Sequence, residues 1–168
     1  MIPENSPISR EIPQKSTWKE IMREVIIFAV IAFGIVLPFR MYVAEPYLVD
    51  GRSMDPTFAT GEYLIVNKLS YELGESVARD SVIIFHYPKD TRKNFIKRVI
   101  GLPGETVVLK NGKVTIINSE NPLGFELDDS YILYKSETDN MKMTLTGDEY
   151  FVMGDNRLES FDSRSWGP

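Results

Sequence analysis

From Val25 to Phe39 the chain reads VIIFAVIAFGIVLPF with no charged position, and the apolar character continues past Arg40 through Met41, Tyr42, Val43 and Ala44. A run that is apolar on every side is either a buried core helix or a membrane span. Its fifteen strictly apolar residues fall short of the ~20 needed to cross a bilayer core. Trp18 and Tyr42 at the two ends, with Arg23 and Arg40 snorkelling outward, extend the span into the interfaces. Thr17-Trp18-Lys19-Glu20 has the spacing of a capping box, so a helix is expected to start near Trp18 and residues 17–43 to form one transmembrane anchor. A cleavable leader needs small residues at its end, and cutting after Ala44 leaves bulky Tyr42 in the wrong place, which favours retention. Arg10, Lys15, Lys19 and Arg23 precede the span and Arg40 follows it. By the positive-inside rule residues 1–16 are then a cytoplasmic tail, and residues 44–168 lie outside the cell membrane.

After Ala44 the period changes. Short runs rich in Val, Ile, Tyr and Phe alternate with Gly, Pro, Asn and Asp, and no helical periodicity persists. The pattern predicts strands over 47–49, 63–67, 81–87, 94–101, 106–110, 113–117 and 149–153. Asn111-Gly112 between two of them is a hairpin signal. Residues 118–147 read as an exposed polar excursion, with weaker strand patterns at 131–134 and 141–145. The fold class expected is a mainly β, antiparallel domain preceded by one amino-terminal transmembrane helix.

Composition narrows the chemistry. A chain of 168 residues that is 43% apolar can build one domain with a sizeable core. A net charge of −5 with intermixed signs argues against a nucleic-acid partner. Cysteine is absent, which removes disulfides, thiolate metal sites and cysteine nucleophiles together. The single histidine, His86, stands in a strand-and-turn context, far from any triad-like motif, and cannot supply a zinc site alone. No metal and no organic cofactor is implied.

Four short blocks carry the candidate chemistry. Gly51-Arg52-Ser53-Met54-Asp55-Pro56-Thr57-Phe58 puts a serine in a sharp bend soon after the anchor, a position where serine commonly only bonds its own turn. Gly61 to Lys68 is a turn and strand. Lys97 to Glu105 sets two adjacent cations, Lys97 and Arg98, inside an apolar strand pattern. Side chains alternate faces along a strand, so at least one of the two must point inward and needs a partner or a lost proton. Gly154 to Arg164 is a dense polar stretch directly after an apolar strand. In this order after an amino-terminal anchor, the blocks resemble the conserved boxes of the type I signal peptidase family, over Glu45 to Gly167.

The resemblance implies Ser53 as nucleophile and Lys97 as general base of a Ser-Lys dyad. An amine serves as a base only when neutral, and burial lowers a lysine pKa by up to ~3–5 units. Phe95, Ile96 and Val99 are expected to form the dry wall, with cationic Arg98 as a further depressant. By motif position Ser160 supplies a second hydroxyl that orients the amine, Asp162 and Arg164 form a structural ion pair, and Asp155 stands opposite Arg98. The backbone N–H of Ser53 is the expected oxyanion donor. The family's assisting serine is replaced by Gly51, as in the Gram-positive branch, so the second donor is open. Tyr47, Val49, Met54, Phe58, Leu64 and Ile96 fall where the family lines its shallow pockets for small P1 and P3 residues. The implied partners are the signal peptides of exported precursors, bound extended beside a strand, and the lipid bilayer, with the enzyme a monomer. Family members usually continue beyond Trp166-Gly167-Pro168 with another strand, so the chain is expected to be incomplete at its carboxyl end. Two alternatives stand beside this reading. One is a Ser-Lys protease of the self-cleaving repressor type, although residues 1–44 offer an apolar span instead of a DNA-binding module. The other is a non-catalytic relative that only binds precursors.

Overall fold

A computed structural model of the chain describes residues 17–168, so the expected cytoplasmic tail, 1–16, lies outside the described residues. The chain separates into two compact units, Met1–Val43 and Ala44–Pro168.

The described part of the first unit, residues 17–43, is helical. α1 spans Trp18–Ile31 and opens on Thr17, whose backbone N–H donates to Glu20 Oε2 at 2.7 Å. The helix does not run uninterrupted as the apolar pattern suggested. Ala32–Val36 is a π-helical turn, followed by α2 over Leu37–Tyr42. Pro38 is the physical reason: it has no N–H, its ring crowds the carbonyl four residues back at Gly34, and a wider turn relieves both. Trp18–Tyr42 is nonetheless one 25-residue rod of mean hydropathy 2.2 with none of its apolar window buried. At 1.5 Å per residue it is roughly 38 Å long, enough for a hydrocarbon layer of ~30 Å.

The second unit is mainly antiparallel β. In chain order its elements are β1 (Ala44–Leu48), β2 (Tyr63–Asn67), the short α3 (Leu69–Glu72), β3 (Val82–Tyr87), β4 (Asp90–Gly101), β5 (Thr106–Lys110), β6 (Lys113–Ile117), β7 (Phe125–Glu126), β8 (Asn140–Thr144), β9 (Phe151–Met153) and α4 (Ser163–Trp166). They form three sheets, β1-β2, β3-β4-β9 and β7-β6-β5-β8. β5 and β6 meet through Asn111-Gly112, both with positive φ, which sets Lys110 opposite Lys113. Alternation along this hairpin buries Val107, Leu109, Val114 and Ile116 on one face. They pack with Ile100, Leu145, Phe151 and Met153 into the apolar core, each side chain worth roughly 1.5–3 kcal/mol of transfer free energy.

The excursion expected over 118–147 is more ordered than its polarity suggests. It contributes β7 and β8, which become the two outer strands of the four-stranded sheet. The apolar run 131–134 is not a strand: it forms turns in which Ile132 is buried and Leu133 exposed.

Candidate active site

β4 and the turn after β1 bring the site together. β4 is central in its sheet, pairing Lys97 with Ile83 of β3 on one side and Arg98 with Met153 of β9 on the other. The adjacent cations resolve their burial in different ways. Arg98, on one face, finds a partner: its Nε donates to Asp155 Oδ1 at 2.8 Å and its Nη2 to Oδ2 at 2.6 Å, a bidentate pair in which Asp155 is fully buried. Tyr131 lies over the same guanidinium at 4.6 Å.

Lys97, on the other face, meets no carboxylate within ion-pair distance and is only 4% exposed. Its Nζ lies 2.8 Å from Ser53 Oγ and 2.8 Å from the carbonyl oxygen of Ile96, with the Phe95 ring 5.3 Å away. Loss of hydration lowers its pKa from 10.5 to about 8, against the opposing pull of the Asp162 and Asp155 carboxylates. Arg98 does not contribute to that depression as the sequence suggested. Its charge is spent on Asp155, from the opposite face of the strand.

Ser53 sits in a turn tied down on both sides. Gly51, at φ 101°, takes a conformation that favours glycine, and its carbonyl accepts a hydrogen bond from Thr60 Oγ1 at 2.9 Å. The Ser53 carbonyl accepts from the Asn156 backbone N–H at 3.0 Å. Thr57 Oγ1 donates to Asp155 Oδ2 at 2.6 Å, so the turn and the loop after β9 share one buried carboxylate.

That loop is organised around Asp162, which is fully buried. Its Oδ1 accepts from Arg164 Nε at 2.8 Å, and its Oδ2 from Arg164 Nη2 at 2.8 Å and the Gly154 N–H at 3.1 Å. Gly154 cannot carry a side chain, because a Cβ there would collide with the Ser53 carbonyl oxygen and with Ser160 Oγ. Ser160 departs from expectation at the same place. Its hydroxyl is buried without a hydrogen-bond partner, and the amine it was expected to orient bonds to Ser53 and Ile96 instead. The space left by the missing Cβ lets Ser160 drop onto the Gly154 backbone.

A cleft of about 280 Å³ opens beside the Ser53–Lys97 pair. Tyr47, Val49, Leu64 and Ile96 line it as the sequence indicated, and Gly51, Ser53 and Lys97 face it too. Met54 and Phe58 do not line it. Met54 is completely buried, because the tight turn that presents Ser53 rotates the next residue inward, and Phe58 closes the same turn through its N–H to the Met54 carbonyl at 3.0 Å. Sequence reasoning missed Leu48, Ile84 and Phe161 as further lining. For Ile84 a signal existed, since it pairs directly with Ile96 once β3 and β4 are in register. His86 is exposed at the far end of β3. Among the described residues no cluster of three or more His, Asp or Glu side chains could hold a metal ion.

The chain matches the family model described as signal peptidase, peptidase S26, over residues 22–168. It is 41% identical to signal peptidase I P of Bacillus subtilis subsp. natto, over 81% of this chain and 74% of that protein. It is 34% identical to the probable signal peptidase I-2 of a Synechocystis strain, over 94% of this chain and 70% of that protein. A crystal structure of a signal peptidase I from Enterococcus faecalis aligns with 55% of this chain and 87% of its own, at 30% identity and a TM-score of 0.44. On the family match and these relatives, the chain belongs to the signal peptidase family, peptidase S26, and is a serine endopeptidase.

Proposed function

We propose that this protein removes the amino-terminal signal peptides of exported precursors while anchored in a membrane, by acyl transfer through Ser53 and Lys97. The observation that carries the reading is a buried amine 2.8 Å from a serine hydroxyl, with its pKa lowered to about 8. In its neutral form the Lys97 lone pair accepts the Ser53 proton as Oγ attacks the scissile carbonyl. The tetrahedral oxyanion is held by the Ser53 N–H. Lys97 then returns the proton to the departing amine, leaving an ester on Ser53. Water attacks the ester, Lys97 takes the water proton, and the proton passes to Oγ as the acid product leaves.

The cleft supports the substrate class. Its small volume and the apolar walls formed by Tyr47, Val49, Leu64, Ile84 and Ile96 suit small P1 and P3 side chains on an extended strand. Residues 17–43 form the anchor, with residues 1–16 cytoplasmic, residues 44–168 on the outer face, and the enzyme working as a monomer. What supports this placement is the exposed apolar rod and the excess of Lys and Arg before it.

The test is cleavage of a purified precursor by wild type, Ser53→Ala and Lys97→Met. Both variants are expected to fold and to lose cleavage, and the wild-type rate is expected to rise through a midpoint near the Lys97 value of about 8. Full activity of Lys97→Met rules out the dyad. A wild type that retains precursor without cutting it establishes the binding alternative instead.

A further inference from the structure

The geometry points to residues 127–139 as a positioning strap for the catalytic loops, with Asp139 and Tyr131 as its positioning residues. The inference deepens the proposed function and rests on it for its kinetic readout.

The argument starts from topology. β7 and β8 are the opposite outer strands of the four-stranded sheet, so the chain between them must cross from one side of the sheet to the other. Three strand spacings amount to roughly 14 Å. Thirteen extended residues can reach ~43 Å. The crossing therefore has about threefold slack, and its route is set by what it touches rather than by its length.

What it touches is the buried polar machinery beside Ser53. The Tyr131 ring covers the Arg98 guanidinium at 4.6 Å, on the pair with Asp155. The Tyr134 carbonyl accepts the Arg157 N–H at 3.0 Å. Asp139 Oδ2 accepts Arg164 Nη1 at 2.7 Å, on the far side of the guanidinium that holds Asp162. Between these points Ser136 and Glu137 lie beside the hairpin turn at Gly112, close enough to crowd any side chain there, and Ile132 is 5% exposed. The Lys135–Asp129 ion pair at 2.8 Å closes the strap on itself.

The chain of contacts runs to the reacting atoms. Asp139 holds Arg164, Arg164 holds Asp162, and Asp162 accepts the Gly154 N–H, while Gly154 packs without a side chain against the Ser53 carbonyl. The Arg164 and Asp139 side chains are 10% and 25% exposed, so this pair is better shielded from water than an ordinary surface pair. A rigid Asp139–Arg164 contact fixes the guanidinium plane, and with it both oxygens of Asp162. None of the strap contacts lies in the substrate cleft, so the strap acts on kcat and not on KM.

The experiment uses the full chain in detergent with a purified precursor, comparing wild type, Ser53→Ala, Asp139→Ala, Tyr131→Leu, Tyr131→Phe and, as a control for loss of an ordinary ion pair, Glu126→Gln. Hydrogen exchange at the Gly154 and Asn156 amides is measured beside kinetics and thermal stability. Asp139→Ala and Tyr131→Leu are expected to lower kcat roughly tenfold with KM nearly unchanged. Tyr131→Phe, which keeps the ring over Arg98, and Glu126→Gln are expected to match wild type. Gly154 and Asn156 should exchange faster in Asp139→Ala while the β5–β6 ladder stays protected. Unchanged kcat and unchanged exchange in Asp139→Ala overturn the strap, as does a kcat loss that only tracks lost stability or appears as a raised KM. If Ser53→Ala cleaves like wild type, the dyad falls instead, and the exchange result still decides the strap.

Discussion

The sheet of β7, β6, β5 and β8 closes Val107, Leu109, Val114 and Ile116 into an all-apolar core, whereas the elements around β4 close over Lys97, Asp155, Asn156, Arg157 and Asp162. Both regions exclude water to a similar degree. In the first, exclusion is the source of stability. In the second it works against stability, because each buried charge needs a partner, and it is used to change what the groups do. Asp155 and Asp162 are matched by Arg98 and Arg164 at hydrogen-bond distance. Lys97 is left without such a match, and its lowered pKa follows from that omission. One domain therefore spends the apolar energy of one sheet on holding an unfavourable amine in another.

The sharpest way to break this contrast is to remove the amine. Lys97→Met is expected to reduce cleavage by roughly 10²–10⁴-fold, the range for losing a general base. It should also stabilise the fold. The native amine, lowered from 10.5 to about 8, carries the net cost of its burial, desolvation less the pull of the Asp162 and Asp155 carboxylates, below pH 8, where both folded and unfolded chains are protonated. That cost is roughly 3 kcal/mol. Between pH 8 and 10.5 the native state sheds a proton that the unfolded state keeps, so wild-type stability rises and the variant's advantage closes. Denaturant melts at pH 7 and pH 10 read both ends of that window. A variant less stable than wild type at pH 7 would mean that the amine is a net stabiliser.

The reverse experiment cuts the apolar region. Ile116→Ala, at a fully buried position in the four-stranded sheet, is expected to cost about 2–5 kcal/mol of unfolding free energy. The kcat of the folded fraction should be unchanged. A matching fall in kcat would show that the two regions are one energetic unit. Gly154→Ala tests the boundary between them. Its added Cβ meets the Ser53 carbonyl, so the nucleophile turn must shift, and cleavage is expected to fall by about 10²-fold. The core ladder should keep its hydrogen-exchange protection.

The contrast also explains what the sequence revealed. Period-two alternation in 106–110 and 113–117 made the core hairpin readable to the residue, because burial there follows the pleat alone. The Lys97-Arg98 pair was readable as a conflict, and the four blocks in order pointed to the family. Strand alternation alone did not say which face each cation takes; the family resemblance set Asp155 opposite Arg98, and the structure pairs them across 57 residues of chain. Met54 and Phe58 were misplaced for a related reason: a turn rotates successive side chains through angles that strand alternation does not describe. Ser160 faces the Gly154 backbone without a hydrogen-bond partner, a direction set by the missing Cβ of Gly154 within the same loop, which no strand periodicity describes. The π-helical turn before Pro38 left a local signal in the proline itself.

The smallest expected effect concerns the one hydroxyl that joins the nucleophile turn to the buried ion pair. Thr57 Oγ1 donates to Asp155 Oδ2 at 2.6 Å, but the same oxygen also accepts from Arg98 Nη2 at 2.6 Å. Thr57→Val keeps the shape and removes only the donor, so Asp155 stays fully paired and no charge is orphaned. The loss is then that of one hydrogen bond, about 0.5–1.5 kcal/mol, in contrast to the several kcal/mol of deleting Asp155, which leaves the shielded Arg98 guanidinium without its carboxylate. Chemical denaturation of the variant against Asp155→Ala separates the two. A cost for Thr57→Val as large as that of Asp155→Ala would mean that the bidentate arginine does not satisfy Asp155. The division between matched carboxylates and an unmatched amine would then fail at its best-paired residue.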